Sequence, residues 1–190
     1  MKKLNYDLIN YFTKRGPEYF EDIRAIYRQF PFEAVVADVT FTAIPFITDL
    51  MEIPVLSIGI IPLVQTSKDL PPAGLGLTPD NSWLGSLRNS LLRFAAKHIL
   101  FRKANKITQQ ILDSYYVRHD KQFMFDLGIN KATYYLQSGT PGFEYKRSDL
   151  GKNIRFIGSL LPYRTKTSTE QWFDQRLNQY KHVVLVTQGT

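Results

Sequence analysis

The sequence contains no cysteine and only three histidines among its 190 residues. Without thiols the chain has no disulfide framework, no thiolate metal site and no cysteine nucleophile. The histidines, His98, His119 and His182, are scattered and have none of the spacings typical of metal ligands. We therefore expect no metal and no cofactor, and we interpret each histidine as structural or exposed.

Long apolar runs are also absent, since none approaches the roughly 18 residues of a membrane span. The N-terminal segment MKKLNYDLINYF is basic, but asparagine, tyrosine and aspartate interrupt its apolar residues, which argues against a signal peptide. These features predict a cytoplasmic protein. Hydrophobic residues make up 44% of the chain and aromatic residues 14%, enough for a substantial core, so we expect a folded chain of one domain or slightly more.

Basic residues exceed acidic ones by 24 to 17, which gives a formal net charge of +7. Such a charge raises nucleic acid or an anionic membrane as partners. No DNA-binding or RNA-binding motif accompanies the charge, so we predict that nucleic acid is not a partner.

The stretch from residue 32 to residue 64 predicts the unit around which the chain is built. Residues 34–37 are apolar without polar alternation and stop at Asp38, which is typical of a strand buried on both faces of a parallel sheet. Residues 40–51 then have helical spacing, and either threonine near their start can cap that helix. Pro54 ends the helix, and residues 55–58 form a second buried strand. The pattern predicts a right-handed strand, helix and parallel strand.

A long connection and a basic helical region follow this unit. Residues 60–81 are rich in proline and glycine, and we interpret them either as a packed surface loop or as one wall of a pocket above the sheet. From residue 82 to about 116 the spacing predicts a helix that bends or breaks near 98–101. Its core-facing residues are predicted to be Leu84, Leu87, Leu91, Phe94 or Ala95, Ile107, Ile111 and Leu112. Its cations indicate a solvated face, with a membrane or partner contact as the alternative.

Two more strands are predicted at residues 134–138 and 153–158, followed by a polar linker, a helix from about residue 169 and a strand at 182–187. Four candidate strands without an opening strand and its glycine turn make half of a doubly wound sheet. The predicted fold class is therefore α/β, a partial Rossmann-like doubly wound parallel sheet. The outer edge of strand 34–37 would be apolar and unpaired, which natural proteins avoid.

Four segments, in this order and spacing, resemble the middle of a family-one glycosyltransferase: VVADVTFTAIPFITDLMEIPVLSIGIIPL, SKDLPPAGLGLTP, NIRFIGSLLP and HVVLVTQGT. The likeness is to the bacterial macrolide-type branch, related to plant and animal UDP-glycosyltransferases. It implies the GT-B fold of two facing Rossmann-like domains. Residues 1–161 would be the later part of the acceptor-binding domain, 162–180 the interdomain linker and helix, and 181–190 the first strand and loop of a truncated donor-binding domain.

The resemblance implies an inverting transfer from a UDP-sugar or dTDP-sugar to an acceptor hydroxyl. In the family, the aspartate that Asp38 matches orients a histidine near the N-terminus, and that histidine removes the acceptor proton. A carboxylate that accepts one imidazole N–H holds the ring in the tautomer whose other nitrogen acts as a base. The alternative is that Asp38 only caps the following helix.

The resemblance also assigns substrate contacts. Thr40, Phe41 and Pro62, with the 70–77 loop, match the region that lines the acceptor pocket. The family's first donor-domain loop, where backbone amides and a hydroxyl approach the nucleotide diphosphate, is matched by Gln188, Gly189 and Thr190. The expected partners are a nucleotide-sugar donor and a small-molecule or lipid acceptor.

The departures from the family pattern lead to a separate prediction about activity. The opening strand, the glycine turn, the catalytic histidine and most of the donor signature are absent, so we predict that this chain alone transfers no sugar and needs the missing segments to complete the fold. A non-enzymatic binding module, using the basic helix of residues 84–106 on an anionic membrane or a protein, is the alternative. A flavodoxin-like domain is disfavoured because the chain lacks an initial phosphate loop.

Overall fold

Four parallel strands form one sheet in the order β1-β2-β3-β4 in the first of two units of the chain, Met1–Leu160 and Leu161–Thr190. The structure is a computed structural model, which describes residues 2–80, 82–160 and 174–184. The strands are β1 (Val35–Asp38), β2 (Val55–Gly59), β3 (Tyr134–Ser138) and β4 (Ile154–Gly158). The predicted α/β class with a parallel sheet is confirmed.

The described residues of the first unit also contain six α-helices. They are α1 (Lys2–Asp7), α2 (Arg15–Gln29), α3 (Ile44–Phe46), α4 (Trp83–Ala95), α5 (Arg102–Ser114) and α6 (Met124–Asn130). Three of them continue into π-helical turns, at Leu8–Thr13, Ile47–Met51 and Ala96–Leu100, and a 3-10 turn lies at Pro141–Phe143. No helix in the described ranges combines the length and the apolar character needed to cross a membrane.

The crossover between β1 and β2 forms the centre of the main core. Ala43, Ile44 and Ile47 are completely buried there. The ring of Phe46 lies between two other aromatic rings, 5.7 Å from Phe20 and 5.3 Å from Tyr115. Burying a side chain of this size stabilises the fold by roughly 1.5–3 kcal/mol, so this short helical segment anchors the first two strands.

The predicted threonine cap of this crossover helix is wrong. Ala43 occupies the N-cap position, and no side chain caps the helix. Thr40 instead donates its hydroxyl to Asp38, and Thr42 donates its hydroxyl to the carbonyl of Phe12. The threonines are used for these contacts because the chain makes an extra turn between β1 and α3, which moves the helix start past both of them.

Only one face of the sheet is covered in the described residues, so the predicted burial of residues 34–37 on both faces is wrong. The strand register places Val55, Tyr135 and Ile154 on one face, and all three are buried. The neighbouring residues point to the other face, where Val36 is 64% exposed and Tyr134 is 45% exposed. Among the described strands β1 pairs only with β2, so it forms an edge of the sheet.

The long helical region bends where expected but buries a different side. The helix is interrupted at Phe101 (φ −107°, ψ 14°), between the π-helical turn and α5. In α4, however, four residues predicted to face a core are between 52% and 62% exposed: Leu84, Leu87, Leu91 and Phe94. Ala95, the alternative to Phe94, is partly buried. In α5 the prediction is confirmed for Leu112, which is 2% exposed, and Ile107 and Ile111 are partly buried. The buried positions of α4 are Gly85 and Asn89. This side packs inward because the small Gly85 lets the helix approach the backbone of Asp80 closely.

In the second unit the structure describes only residues 174–184. They contain a 3-10 helix, Gln175–Gln179, capped by Asp174, which accepts a hydrogen bond from the Arg176 amide. Residues 182–184 are not in a strand, although the sequence predicts one at 182–187. The rest of that segment, the linker, the start of the predicted helix, and the donor-site residues Gln188, Gly189 and Thr190 lie outside the described residues. The predicted domain boundaries remain a prediction.

Candidate functional site

Asp38 lies at the carboxyl end of β1, the edge of a parallel sheet at which ligands bind in open α/β folds. Its side chain is exposed, and its Oδ1 accepts hydrogen bonds from the backbone amide of Thr40 (2.8 Å) and from the Thr40 hydroxyl (2.5 Å). Oδ2 has no hydrogen-bond partner among the described residues. The carboxylate is therefore held in one orientation by one oxygen, while the other can accept a further hydrogen bond.

A cavity of about 310 Å³ opens beside this strand end. Its walls come from the β1–α3 turn, from α5 and from α6, and they are largely apolar. Thr40 and Phe41 line it, as do the hydroxyl-bearing Thr13 and Thr108, whose oxygens are 3.2 Å apart. An apolar cavity with a few converging hydroxyl groups is typical of a small-molecule site.

A larger cavity of about 700 Å³ lies under the 62–77 loop. The loop supplies one wall, including Pro71 and Pro72, and α4 with its π-helical turn supplies another, including Arg93 and Lys97. The third wall contains aromatic rings of the 120–126 segment. The loop residues thus line a cavity, as the pocket interpretation of this connection predicts.

Arg147 fastens the loop that covers this region. Its guanidinium donates hydrogen bonds to the carbonyl oxygens of Leu63 and Gln65, and Glu144 accepts one from the Leu63 amide at 2.9 Å. Burial lowers the pKa of Arg147, although nearby carboxylates oppose the effect. The Asp149 carboxylate accepts hydrogen bonds from the Ser67 hydroxyl and the Lys68 amide, which fixes the next part of the loop.

A group of buried polar side chains lies beneath the carboxyl ends of β2 and β3. The Ser57 hydroxyl, the Tyr135 hydroxyl and the Gln137 carbonyl oxygen are buried and have no hydrogen-bond partner in the described residues. Burial, with further contributions from Glu144 and Asp38, raises the pKa of Tyr135 to about 12. The phenol is therefore neutral at physiological pH.

Asp126 is the buried carboxylate of the larger cavity. It is 7% exposed, and its Oδ1 accepts a hydrogen bond from the backbone amide of Thr66 at 2.7 Å. Burial raises its pKa, while the Thr66 amide and the positive charges of Lys97 and Arg147 act in the opposite direction. Because Asp126 lines the cavity, it offers a hydrogen-bond acceptor to any molecule bound there.

The structure brings some of the sequence-predicted residues together and separates others. Asp38 and Thr40 are in direct contact, and Phe41 lines the same small cavity as Thr40. Pro62 is exposed and lines neither of the two cavities described above. The roles assigned to these residues remain predictions.

Sequence reasoning missed the residues that connect the two cavities, Val64 and Phe125, as well as Asp126. The only sequence signal of Phe125 and Asp126 is a short aromatic run, FMFD, ending at residue 126, and Val64 is the last residue of the 32–64 stretch with no feature that marks it as part of a cavity wall. Within the described residues no group of three or more histidine, aspartate or glutamate side chains is placed to hold a metal ion.

The chain is similar in sequence to parts of longer known proteins. The chain is 30% identical over 180 residues to 4'-demethylrebeccamycin synthase of Lentzea aerocolonigenes, a match that covers 94% of this chain and 42% of that protein. It is 31% identical over 138 residues to UDP-glycosyltransferase 2 of Phaeomoniella chlamydospora, covering 71% of this chain and 30% of the relative. For UDP-glucosyltransferase A1 of Starmerella bombicola the identity is 29% over 135 residues, covering 71% and 28%.

This chain therefore spans less than half the length of each of these relatives. No protein-family model and no solved structure matches it. The resemblance to a part of a family-one glycosyltransferase, inferred from four segments of the sequence, is confirmed by these matches.

Proposed function

We propose that this chain is the acceptor-binding part of a glycosyltransferase that transfers a sugar, with inversion, from a UDP-sugar or dTDP-sugar to a hydroxyl group. The observation that carries the proposal is the apolar cavity whose wall includes Thr40, hydrogen-bonded to Asp38 at the end of β1. An acceptor in this cavity would present its hydroxyl to the carboxyl edge of the sheet. The similarity to glycosyltransferases supports sugar transfer as the reaction.

Asp38 acts in this proposal as the residue that orients a histidine base. Its Oδ1 is held by Thr40, which leaves Oδ2 to accept an N–H from the imidazole. The other ring nitrogen removes the proton of the acceptor hydroxyl as its oxygen attacks the anomeric carbon from the face opposite the leaving group. The nucleoside diphosphate departs with the electron pair of the broken glycosidic bond, which inverts the anomeric centre.

Neither of the two histidines in the described part of the first unit, His98 and His119, contacts Asp38. The ring of His98 packs on Phe94 at 4.7 Å, and His119 is hydrogen-bonded to Asp113 at 2.9 Å. The proposal therefore takes the histidine from outside this sequence, from a segment that pairs with the edge of β1. That edge has no partner strand within the described residues, which supports such a pairing.

The donor is proposed to contact the C-terminal residues of the chain. Gln188, Gly189 and Thr190 would offer backbone amides and a hydroxyl to the diphosphate, with most of the donor site supplied by further chain. For this reason the proposal includes inactivity of the 190-residue chain by itself.

Sugar transfer should be measured with two polypeptides, the 190-residue chain and the product of the complete reading frame that contains it. With UDP-glucose or dTDP-glucose and 2-naphthol, the longer product is expected to form the inverted glycoside and the chain alone is expected to form none. In the longer product Asp38→Asn should lower kcat by about 100-fold or more with little change in the acceptor KM. Asp22→Asn, at an exposed position of α2, is the matched control.

Turnover by the 190-residue chain alone would overturn the proposal that it needs further segments. Activity of the longer product that is insensitive to Asp38→Asn would overturn the role of Asp38, while glycosyl transfer itself would stand. A glycoside with retained configuration at the anomeric carbon, read from the proton coupling constant of the product, would overturn inversion.

A second function is favoured by the exposed apolar side of α4: binding to an anionic membrane. Leu84, Leu87, Leu91 and Phe94 are spaced along one side of the helix, next to the exposed Trp83. A helix that presents such a stripe together with cations is typical of proteins that lie in the membrane interface. The stripe is therefore a candidate membrane contact.

A basic groove near the start of α5 is a second feature that suits an anionic surface. It is lined by five cations, and none of them forms a salt bridge within the described residues: Lys2, Lys14, Arg102, Lys103 and Lys106. The exposed Ile99 lies in the same groove. Phosphate head groups would supply the anions that these cations lack.

Vesicle sedimentation tests this second function. The chain is expected to sediment with vesicles containing phosphatidylglycerol and not with pure phosphatidylcholine, and Leu87→Asn combined with Leu91→Asn should abolish the difference. The same substitutions at Tyr134 and Tyr145, also exposed, are the control. Equal binding to both vesicle types, or no loss in the double variant, would contradict a membrane contact and leave a protein partner as the occupant of the stripe.

A further inference from the structure

Val64 and Phe125 each line both cavities of the candidate site. The two spaces are therefore neighbours that share a wall built from one loop side chain and one helix side chain. Both residues are partly buried. The smaller space, at about 310 Å³, is at the lower end of the range for drug-sized ligands, whereas the larger one adds about 700 Å³ beyond the shared wall.

One of the two side chains in the shared wall, Phe125, is aromatic and can change its rotamer. Phe125 packs in a cluster of aromatic rings with Phe101 at 5.2 Å and Phe123 at 5.1 Å. Phe101 and Phe123 also line the larger cavity. If Phe125 rotates about χ1 toward that cavity, its ring can therefore pack against theirs. Phe125 is therefore the side chain of the shared wall whose rotation would open a passage past Val64 between the two spaces.

The two cavities differ in chemistry. The smaller one is apolar apart from threonine hydroxyls, and one of these belongs to Thr40, which is hydrogen-bonded to Asp38. The larger one contains the buried carboxylate of Asp126, with the cations Lys97 and Arg93 in the same lining. Lys97 is close enough to act electrostatically on Asp126.

This mixture of charges selects a neutral polar group. The lining carries charges of both signs, since Asp120 and Lys121 also belong to it. A ligand carboxylate would be attracted by the cations and repelled by Asp126, and a ligand ammonium would experience the reverse. Attraction and repulsion therefore oppose each other for either ion, while the ion still loses its hydration in a partly desolvated space. A hydroxyl can donate to Asp126 and accept from Lys97 at the same time. The lining therefore fits a hydroxyl group better than either ion.

We propose that the two cavities form one elongated acceptor site. The apolar body of the acceptor fills the smaller cavity with its reacting hydroxyl toward Asp38, and a neutral end that carries a second hydroxyl passes Phe125 into the larger cavity to meet Asp126 and Lys97. The acceptor class is thus a long, largely apolar alcohol with hydroxyl groups at both ends. The inference rests on the proposed function for the identity of the reacting end.

A series of phenols tests the site by isothermal titration calorimetry on the longer product of the complete reading frame, without a sugar donor. The probes are 2-naphthol, 4-phenylphenol, 4,4'-dihydroxybiphenyl and 4'-hydroxybiphenyl-4-carboxylate. The dihydroxy compound is expected to bind about tenfold more tightly than 4-phenylphenol, because one further hydrogen bond to a charged group is gained. The carboxylate is expected to bind more weakly than 4-phenylphenol.

Variants assign the binding to the shared wall and to Asp126. Phe125→Ala should increase the preference for 4,4'-dihydroxybiphenyl over 2-naphthol by about fivefold, because the wall no longer has to rotate. Phe123→Ala is the matched control, because it removes a ring from the same cluster. Phe123 lines only the larger cavity. Asp126→Asn, which keeps an acceptor for the Thr66 amide, should reduce the advantage of the second hydroxyl at least threefold.

Equal affinities for 4-phenylphenol and the dihydroxy compound, or equal effects of the two phenylalanine variants, would overturn the elongated site. Val64→Ala replaces Phe125→Ala if the latter does not fold by circular dichroism. These measurements need no sugar transfer. Binding as expected without transfer in the longer product would refute the proposed function alone, and transfer to 2-naphthol without the binding preference would refute the elongated site alone.

Discussion

Gly59 of β2 lies directly against the hydroxyl group of Tyr135 on β3. A Cβ atom at residue 59 would overlap the phenolic oxygen and the ring carbon that bears it. The two strands pair in register, with Gly59 opposite Gln137, so neither residue can move away without disturbing the sheet. The glycine that ends β2 is therefore needed for packing, and its backbone does not require a left-handed conformation.

We expect Gly59→Ala to destabilise the fold by about 1–3 kcal/mol, since overpacking at a buried site forces side chains or backbone to shift. Chemical denaturation monitored by circular dichroism measures the change. Gly142→Ala, where an added Cβ has no atom closer than 3.9 Å, is the control.

Tyr135→Phe in the Gly59→Ala background removes the overlapping oxygen and should restore part of the loss. An unchanged stability of the single variant would mean that Tyr135 leaves this position at little cost.

Because the Tyr135 hydroxyl is buried, the fold is expected to lose stability at high pH. In the unfolded chain a tyrosine ionises near pH 10, whereas burial raises the pKa of Tyr135 to about 12 in the fold. Below pH 10 both states hold the proton and there is no penalty. Between about pH 10 and 12 only the unfolded state releases it, so the free energy of unfolding falls.

Tyr135→Phe should flatten this decline, whereas the exposed Tyr116→Phe should not. Denaturation midpoints measured at half-unit steps from pH 8 to 11.5 make the comparison. An identical decline in the two variants would show that other groups cause it.

Removing the charge of Asp126 is expected to stabilise the fold. Burial raises the pKa of this carboxyl, so above about pH 4 the unfolded state ionises more readily than the fold and stability decreases as pH rises through the folded pKa. Asp126→Asn keeps an oxygen for the Thr66 amide and should melt at a higher temperature than the parent at pH 7.

The difference in melting temperature between Asp126→Asn and the parent should vanish below about pH 4. There the Asp126 carboxyl of the parent is protonated in both the folded and the unfolded state. Asp22→Asn, at an exposed site, serves as the reference for a simple change of net charge. A lower melting temperature of Asp126→Asn at pH 7 would indicate that the attraction of Lys97 and Arg147 exceeds the cost of burial.

Arg147 is expected to resist replacement by lysine. Its planar guanidinium donates to two backbone carbonyls at once, those of Leu63 and Gln65, and an ammonium group cannot reproduce that fork. Arg147→Lys should cost about 1–3 kcal/mol and increase proteolytic cleavage within residues 62–77.

Arg155→Lys, at an exposed arginine that also donates to backbone carbonyls, should change stability by less than about 0.5 kcal/mol. Similar losses in both variants would assign the effect to arginine in general and not to the clamped loop.

Patterns confined to one element were predicted well. Strand 134–138 was predicted at its observed bounds, and the other strands of the sheet within one residue, because each is a short apolar run between turn residues. The bend near Phe101 follows from apolar residues that interrupt the helical pattern. Asp38 was placed at the carboxyl end of its strand for the same reason, since strand ends can be read from where the apolar run stops.

Relationships between distant elements were predicted poorly. The stripe of Leu84, Leu87, Leu91 and Phe94 has the spacing of a buried face, yet α4 packs through Gly85 and Asn89. Periodicity gives the face that is apolar, but it does not say whether another part of the chain covers that face. The same reason explains why Val36 is exposed in a strand whose composition is typical of burial on both sides.

By itself the sequence determined the parallel α/β sheet, the position of Asp38 and the resemblance to glycosyltransferases, because these depend on local runs and ordered segments. Only the tertiary structure decided that Val64 and Phe125 separate two cavities and that Asp126 is buried beside Lys97. Those residues are up to 62 positions apart in the chain. They come together through packing of the 62–77 loop against α4 and α6, and no local pattern encodes that packing.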